Sequence, residues 1–140
     1  MSNQNTGNAA LYHVARELSR LGWHVMPTIR NARGADLFAV SDRQLRVLPI
    51  QSKGLAKPNS VPLGLSLERL CSPWWAITIN ALDANPISYI LTLDEVKAAA
   101  ARRVNVGGTA SFWLQEKAYK VTEYQEAWYR LGVPSDDLLE

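Results

Sequence analysis

Cysteine, histidine and long apolar runs are scarce in this chain, and each scarcity excludes a class of protein. Cys71 is the only cysteine among 140 residues, so no internal disulfide can form. His13 and His24 with this one cysteine are too few for a zinc site unless carboxylates join them. No apolar run is long enough to span a membrane, and the polar residues 1–7 lack the apolar segment of a secretion signal. We therefore expect a protein of the reducing cytoplasm with no membrane association.

The net charge is also small, at +2 from 15 basic and 13 acidic residues, so the chain is not a strongly basic nucleic-acid-binding protein. The basic residues are nevertheless clustered in pairs, which are Arg30 with Arg33, Lys53 with Lys57, and Arg102 with Arg103. No glycine-rich nucleotide-binding loop is present, because Gly107-Gly108 is an isolated pair that is typical of a turn. The charge pattern weakly favours a protein that binds nucleic acid.

The length and the apolar content indicate one folded domain. Of the 140 residues, 47% are apolar, which is enough for one sizeable core. We predict a disordered lead-in over residues 1–7, a domain over residues 8–134 and an acidic tail over residues 135–140.

Periodic apolar residues and capping signals predict three helices. The first covers residues 8–21. The second opens at Thr92, where Glu95 completes a capping box, and ends near Arg103. The third is capped by Thr122 and buries a stripe of residues, which are Tyr124, Ala127, Trp128 and Leu131.

Apolar runs bounded by turn residues predict six strands, over residues 23–29, 35–41, 45–53, 74–80, 88–91 and 111–114. Pro49 removes a hydrogen-bond donor from the third strand, so we expect a bulge or an exposed edge there. Residues 54–64 are rich in glycine and proline and predict a loop, and residues 66–70 a short helical turn. The order α-β-β-β-α-β-β-α-β-α requires a sheet with both parallel and antiparallel pairs.

Asp36, Gln51 and Lys53 form the candidate site on the hairpin of the second and third strands. If the turn is centred near residues 43–44, Asp36 lies opposite Gln51 or its neighbour, although a slip of one residue would put the two on opposite faces. Gln51 and Lys53 are two residues apart in one strand and so share a face. The carboxylate and the amide oxygen would hold a hard cation, Mg²⁺ or Mn²⁺, and the lysine would orient a water or offset charge in phosphodiester hydrolysis.

Five short segments carry a family resemblance, at residues 7–10, 14–18, 22–23, 34–37 and 50–53. Together with the element order, they resemble the PD-(D/E)XK nuclease superfamily, above all its small bacterial restriction-endonuclease-like and Holliday-junction-resolvase-like members. The resemblance covers about residues 7–96. It implies a single-domain α/β (α+β) restriction-endonuclease-like fold, in which a mixed sheet with an α-β-β-β-α-β core is flanked by helices.

The resemblance also implies a divalent-metal site at Asp36, Gln51 and Lys53, DNA as the substrate and, by analogy, a homodimer. Many relatives carry a glutamate on the opening helix where this chain has Leu11, and Glu17 lies nearly opposite that position on the helix. Two hypotheses follow. The chain is a metal-dependent DNA nuclease weakened at Gln51 and Leu11, or it is a catalytically silent relative that binds nucleic acid or a protein partner.

Four aromatic residues could stack on nucleic-acid bases, namely Trp113, Tyr119, Tyr124 and Trp128. Two of them belong to the predicted stripe of the last helix, so packing in the core is the favoured interpretation.

Overall fold

The structure is a computed structural model that describes residues 3–28 and 34–137. Its helices are α1 (Asn3–Arg20), α2 (Leu93–Ala99) and α3 (Glu116–Tyr119), with 3₁₀ turns at Leu67–Arg69 and Trp128–Leu131. Its strands are β1 (His24–Pro27), β2 (Leu37–Val40), β3 (Val47–Gly54), β4 (Val61–Gly64), β5 (Trp74–Ile79), β6 (Ile87–Thr92), β7 (Ala101–Val104) and β8 (Ala110–Leu114). Within the described ranges, no helix combines the length and the apolar character needed to cross a membrane.

Five of the strands form a mixed sheet in the order β1-β2-β3-β5-β6. Strands β3 and β5 are parallel, and the other neighbours are antiparallel. The mixed sheet predicted from the element order is therefore present. The connection between the two parallel strands contains the 3₁₀ turn at Leu67–Arg69, where a short helical turn was predicted over residues 66–70. It also contains β4, in the segment that was predicted to be a loop.

The five-stranded sheet is covered on both faces, which gives the molecule two core clusters. On one face α1 inserts Val14 and Leu18 against Leu37 and Ile50. On the other face the second sheet, of order β4-β8-β7, buries apolar residues against β5 and β6. Side chains on the continuous run of β5 are buried on both faces, as its apolar sequence predicted.

Helix α1 approaches β3 very closely near its N-terminus. A Cβ atom at Gly54 would lie 2.5 Å from the Cβ atom of Ala10 and 2.8 Å from the carbonyl oxygen of Thr6. Only glycine fits at this position, so the first turns of α1 lie directly over the C-terminal end of β3. The helix begins at Asn3, so residues 3–7 are helical where a disordered lead-in was predicted.

Pro49 shows no bulge, and it lies in the part of β3 that pairs with β2 alone, because the pairing with β5 begins at Ile50. Strand β3 lies in the middle of the sheet, and the register between β2 and β3 runs without a shift past the pair Phe38 and Pro49. The irregularity of this hairpin lies instead at Asp36, as described below.

The second predicted helix ends four residues early. The capping box of Thr92 and Glu95 is present, with both reciprocal hydrogen bonds, but α2 stops at Ala99. Residues Arg102 and Arg103 belong to β7, which pairs with β8. The helix propensity of the Ala- and Arg-rich segment was overridden by this pairing, because tertiary contacts outweigh propensities of a few tenths of a kcal/mol per residue.

The last predicted helix does not form. Residues 121–127 are a series of turns, and one of them closes the free edge of β6, where Ile90 donates a hydrogen bond to Tyr124 and Glu126 to Ser88. A 3₁₀ turn follows over Trp128–Leu131. The apolar stripe was a sign of burial, since Ala127 and Leu131 are in the core, but it was not a sign of helix.

The predicted acidic tail begins with a buried carboxylate. Asp136 accepts hydrogen bonds from the backbone N–H of Arg43, at 2.9 Å, and from Nε of Arg46, at 3.4 Å. Burial raises the pKa of Asp136, but hydrogen bonds from Ser41 and these two residues outweigh it and lower the pKa to about 2. Residues 135–137 are therefore packed against the turn between β2 and β3.

Candidate active site

Asp36 lies at an irregularity where β2 begins. Its backbone N–H donates a hydrogen bond to the carbonyl oxygen of Ile50 at 2.9 Å, and the next residue, Leu37, is also the register partner of Ile50. Two residues on one strand thus face one residue on the other, which is the arrangement of a β-bulge. Bulges redirect side chains at strand ends, and this one determines where the Asp36 carboxylate lies.

The Asp36 carboxylate bridges two neighbouring residues of β3. Its Oδ2 atom accepts hydrogen bonds from the backbone N–H of Ser52 and from Nε2 of Gln51, both at 2.7 Å. The pairing of β2 with β3 ends at Ile50. Beyond that point the Asp36 carboxylate, rather than a backbone carbonyl of β2, accepts the hydrogen bond from the Ser52 N–H. The structure therefore brings the Asp36 carboxylate and the Gln51 amide into direct hydrogen-bond contact.

Lys53 shares its face of β3 with Gln51, since the two are separated by one residue of a regular strand. Its Nζ atom lies 5.9 Å from the ring centroid of Trp75, which is the register partner of Gln51 on β5. This is a cation–π distance. Among the residues that the structure describes, no carboxylate pairs with the Lys53 ammonium.

Asp36 and Lys53 line two different cavities, both bordered by the first turns of α1. Asp36 lines a cavity of about 250 Å³ with Gln4, Gly7, Asn8, Leu11 and Ser52. Lys53 lines a cavity of about 350 Å³ with Asn3, Thr6, Gly54, Leu55, Ala56, Val61 and Pro62. The two predicted site residues thus open on either side of α1 rather than into one pocket.

Carboxylates are few around the site. In the described ranges, no group of three or more His, Cys, Asp or Glu residues could hold a metal ion. Leu11 lines the Asp36 cavity, while Glu17 forms ion pairs with Arg16 and Arg20 on the exposed side of α1. Arg30 and Arg33, the basic pair next to Asp36 in sequence, lie outside the described residues.

Several oxygen atoms beside Asp36 are still available to a ligand. The described residues offer no hydrogen-bond donor to Asp36 Oδ1 and none to the amide oxygen of Gln51. The buried hydroxyl of Ser52 also has no partner there. Ser52 and Gln51 are consecutive strand residues with side chains on opposite faces, so the oxygens that could share a cation are Asp36 Oδ1 and the Gln51 amide oxygen. A hard divalent cation such as Mg²⁺ would keep most of its waters there, with substrate phosphates completing the shell.

Sequence reasoning missed Ser52 and Trp75. Ser52 acts through its backbone N–H, which no side-chain pattern reports, and Trp75 reaches Lys53 only through the parallel pairing of β3 with β5. The sequence shows a serine between Gln51 and Lys53, but its role depends on where the pairing of β2 with β3 ends.

Comparisons with known proteins place this geometry in a known fold. No family model matches the sequence, and no curated protein is significantly similar to it. Among solved structures, a bacterial homing endonuclease, I-Ssp6803I, superposes with a TM-score of 0.59 at 16% identity, over 93% of this chain and 92% of that one. Hjc, a Holliday junction resolvase from the archaeal hyperthermophile Archaeoglobus fulgidus, superposes with a TM-score of 0.52 at 14% identity, over 78% of this chain and 90% of that one.

The chain has a PD-(D/E)XK nuclease-like fold. The resemblance drawn from five short sequence segments is confirmed at the level of fold, and so is the restriction-endonuclease-like fold class. In this PD-(D/E)XK nuclease-like fold, Asp36 lies at the start of β2, and Gln51 lies on β3 of the same hairpin. The second sheet, which the sequence did not predict, packs on the face of β3 that carries Lys53.

Proposed function

We propose that this chain is a divalent-metal-dependent DNA nuclease whose activity is weakened by the replacement of two carboxylates. The observation that supports this most is the Asp36 carboxylate, held 2.7 Å from the Gln51 amide. The Lys53 ammonium, which no carboxylate of the described residues pairs with, lies two residues further along β3. Two proteins that share the fold are a homing endonuclease and a Holliday junction resolvase.

Asp36 and Gln51 would hold Mg²⁺ or Mn²⁺ through one carboxylate oxygen and one amide oxygen. The cation, when bound, lowers the pKa of a coordinated water and polarises the phosphate. Ser52 and Gln51 fix the Asp36 carboxylate through its other oxygen, so that Oδ1 stays oriented before any ligand arrives.

Lys53 would neutralise charge that develops on the phosphate. Its ammonium lies over the Trp75 ring on the same face of the sheet as Gln51, and no described carboxylate competes for it. Positive charge that is already in place at a partly buried site stabilises an anionic transition state without reorganisation.

The site should bind a cation weakly because it offers a single carboxylate. Gln51 supplies a neutral oxygen where a carboxylate would bind a hard cation more strongly. Leu11 presents an apolar side chain to the Asp36 cavity. Cation binding in the absence of DNA should therefore be weak, and the phosphates of the substrate should strengthen it.

Restoring one carboxylate tests the proposal. We expect Gln51→Glu to raise or create Mn²⁺-dependent nicking of supercoiled plasmid, because it adds an anionic ligand beside Asp36. Gln44→Glu makes the same chemical change in the turn at the other end of the hairpin and should leave nicking unaltered. Adding Lys53→Ala to the active variant should remove most of the activity while retaining Mn²⁺ binding.

Asp36→Asn separates chemistry from folding. The amide oxygen of the asparagine can still accept from the Ser52 N–H, whereas the negative charge is lost. We expect this variant to fold, and to lose both nicking and the Mn²⁺ affinity measured by titration calorimetry. Nicking that survives Asp36→Asn would place the ligands elsewhere and refute the site.

A catalytically silent relative that binds DNA is the second candidate. One observation favours it, namely that both hydrogen bonds of Asp36 Oδ2 have a purely structural use in closing the β3 ladder. A Gln51→Glu variant that folds normally but changes neither Mn²⁺ affinity nor nicking, together with retained DNA binding, would establish this second function.

A further inference from the structure

The three-stranded sheet has an outer face that the proposed chemistry does not use. Strand β4 alternates strictly, with Val61 and Leu63 buried and Pro62 and Gly64 exposed. Pro62 is the register partner of Trp113 on β8, so Trp113 points outward as well. Tyr119, another of the aromatic residues considered for base stacking, is fully buried.

Trp113 and Arg103 form a fixed cationic platform on this outer face. The Arg103 guanidinium carbon lies 5.1 Å from the Trp113 ring centroid, and the indole Nε1–H donates a hydrogen bond to Ser111 Oγ at 2.9 Å. Arg103 is exposed and pairs with Ser111 across β7 and β8. An arginine that is already stacked loses less rotamer entropy when it binds a phosphate than a free one would.

The platform is continuous with the cavity of Lys53. Pro62 lines that cavity, and from Pro62 the outer face runs across β8 to Arg103 on β7. Two spacings between neighbouring strands cover roughly 10 Å, which is about three base-pair rises of duplex DNA. The outward positions assigned by register, which are residues 62, 101, 103, 111 and 113, carry no acidic side chain.

We infer that the outer face of the β4-β8-β7 sheet binds the DNA duplex that flanks the reacting phosphodiester. Arg103 contacts a backbone phosphate, and Trp113 holds the guanidinium in place. This inference rests on the proposed function, because it extends the path of the same substrate away from Lys53. It favours duplex DNA over a protein partner, since the face offers an oriented cation and no acidic side chain at its outward positions.

Arg102 supplies a matched control. It is the neighbour of Arg103 on β7 and is also exposed, but it pairs with Phe112 and so points to the opposite face of the sheet. DNA affinity is measured with a labelled duplex in EDTA over a series of salt concentrations. We expect Arg103→Gln to weaken binding about five-fold at moderate salt and to reduce the slope of log K against log [salt] by about one. Arg102→Gln should change both quantities much less, and Arg103→Lys should retain the slope.

Each outcome bears on a different claim. Equal losses in Arg102→Gln and Arg103→Gln, or no loss in either, would overturn the assignment of the outer face while leaving the nuclease proposal intact, and would direct attention to a protein partner for this face. Absence of any DNA binding by the wild-type chain would overturn both. Thermal melts of the two arginine variants should match the wild type, since both side chains are exposed.

Discussion

Replacing Gln51 by glutamate should make the stability of the fold depend on pH and on Mn²⁺. The wild-type Gln51 amide lies 2.7 Å from Asp36 Oδ2, so the substitution replaces a donor by a second carboxylate at nearly the same place. Two carboxylates about 4 Å apart repel by about 4 kcal/mol at an effective dielectric constant of about 20. Both side chains are half-buried, and screening by solvent reduces this to roughly 2 kcal/mol.

The sign of the pH effect follows from the pKa of the introduced carboxyl group. Asp36 raises that pKa above its ordinary value, so the folded variant binds a proton more tightly than the unfolded chain does. The protonated group can also donate to Asp36, as Gln51 does. The variant should therefore match the wild type near pH 4, and its stability should fall as the pH rises through the raised pKa.

Thermal unfolding followed by circular dichroism checks this expectation. At about pH 8 in EDTA, the variant should melt roughly 6 °C below the wild type, at about 3 °C per kcal/mol for a chain of this size. Saturating Mn²⁺ should close the gap, because a cation held at one hundred times its Kd adds about 2.7 kcal/mol. A gap that is the same at both pH values and does not respond to Mn²⁺ would refute the placement of the two side chains.

Two further predictions concern the packing around the site. Asp136→Asn should destabilise the fold at neutral pH, and urea titrations should show the two chains converging as the pH falls from about 4 towards 2, because a carboxylate with a lowered pKa stabilises the fold only while it is ionised. A constant difference over that range would contradict the role of Asp136 as an ionised partner of Arg46. Gly54→Ala should cost about 1–3 kcal/mol, because the new methyl group would lie 2.5 Å from Ala10 Cβ and force α1 away from β3. An unchanged melting temperature would show that α1 is free to shift.

The hairpin of the candidate site was predictable because its signals are local. Alternating apolar residues define β2 and β3, the intervening turn fixes the register within one residue, and the glutamine and lysine of the third strand share a face by period alone. The bulge could not be located from sequence. A bulge was predicted at Pro49 because proline lacks an N–H, but the bulge lies at Asp36, where the pairing of β2 with β3 ends.

The second sheet was predictable only in part. A strand was predicted over residues 111–114, where β8 lies, but β4 and β7 were not predicted as strands. β4 lies in a segment rich in proline and glycine, and its strand conformation comes from pairing with β8, some fifty residues later. β7 has a helix-favouring sequence and becomes a strand through its hairpin with β8. In both strands the pairing with β8 overrides local propensity, and such pairing leaves little trace in a single sequence.

The bulge at Asp36 gives the aspartate of the motif a structural role that does not depend on catalysis. An aspartate that accepts the Ser52 N–H at the end of the ladder contributes to the stability of the fold whether or not the chain cuts DNA. Selection for stability alone would preserve it, whereas nothing in the described contacts of Lys53 beyond the Trp75 ring would preserve a lysine there. In proteins built on this hairpin, the lysine is therefore the more informative marker of catalysis, and a search that ranks sequences by the aspartate will collect inactive members along with active ones.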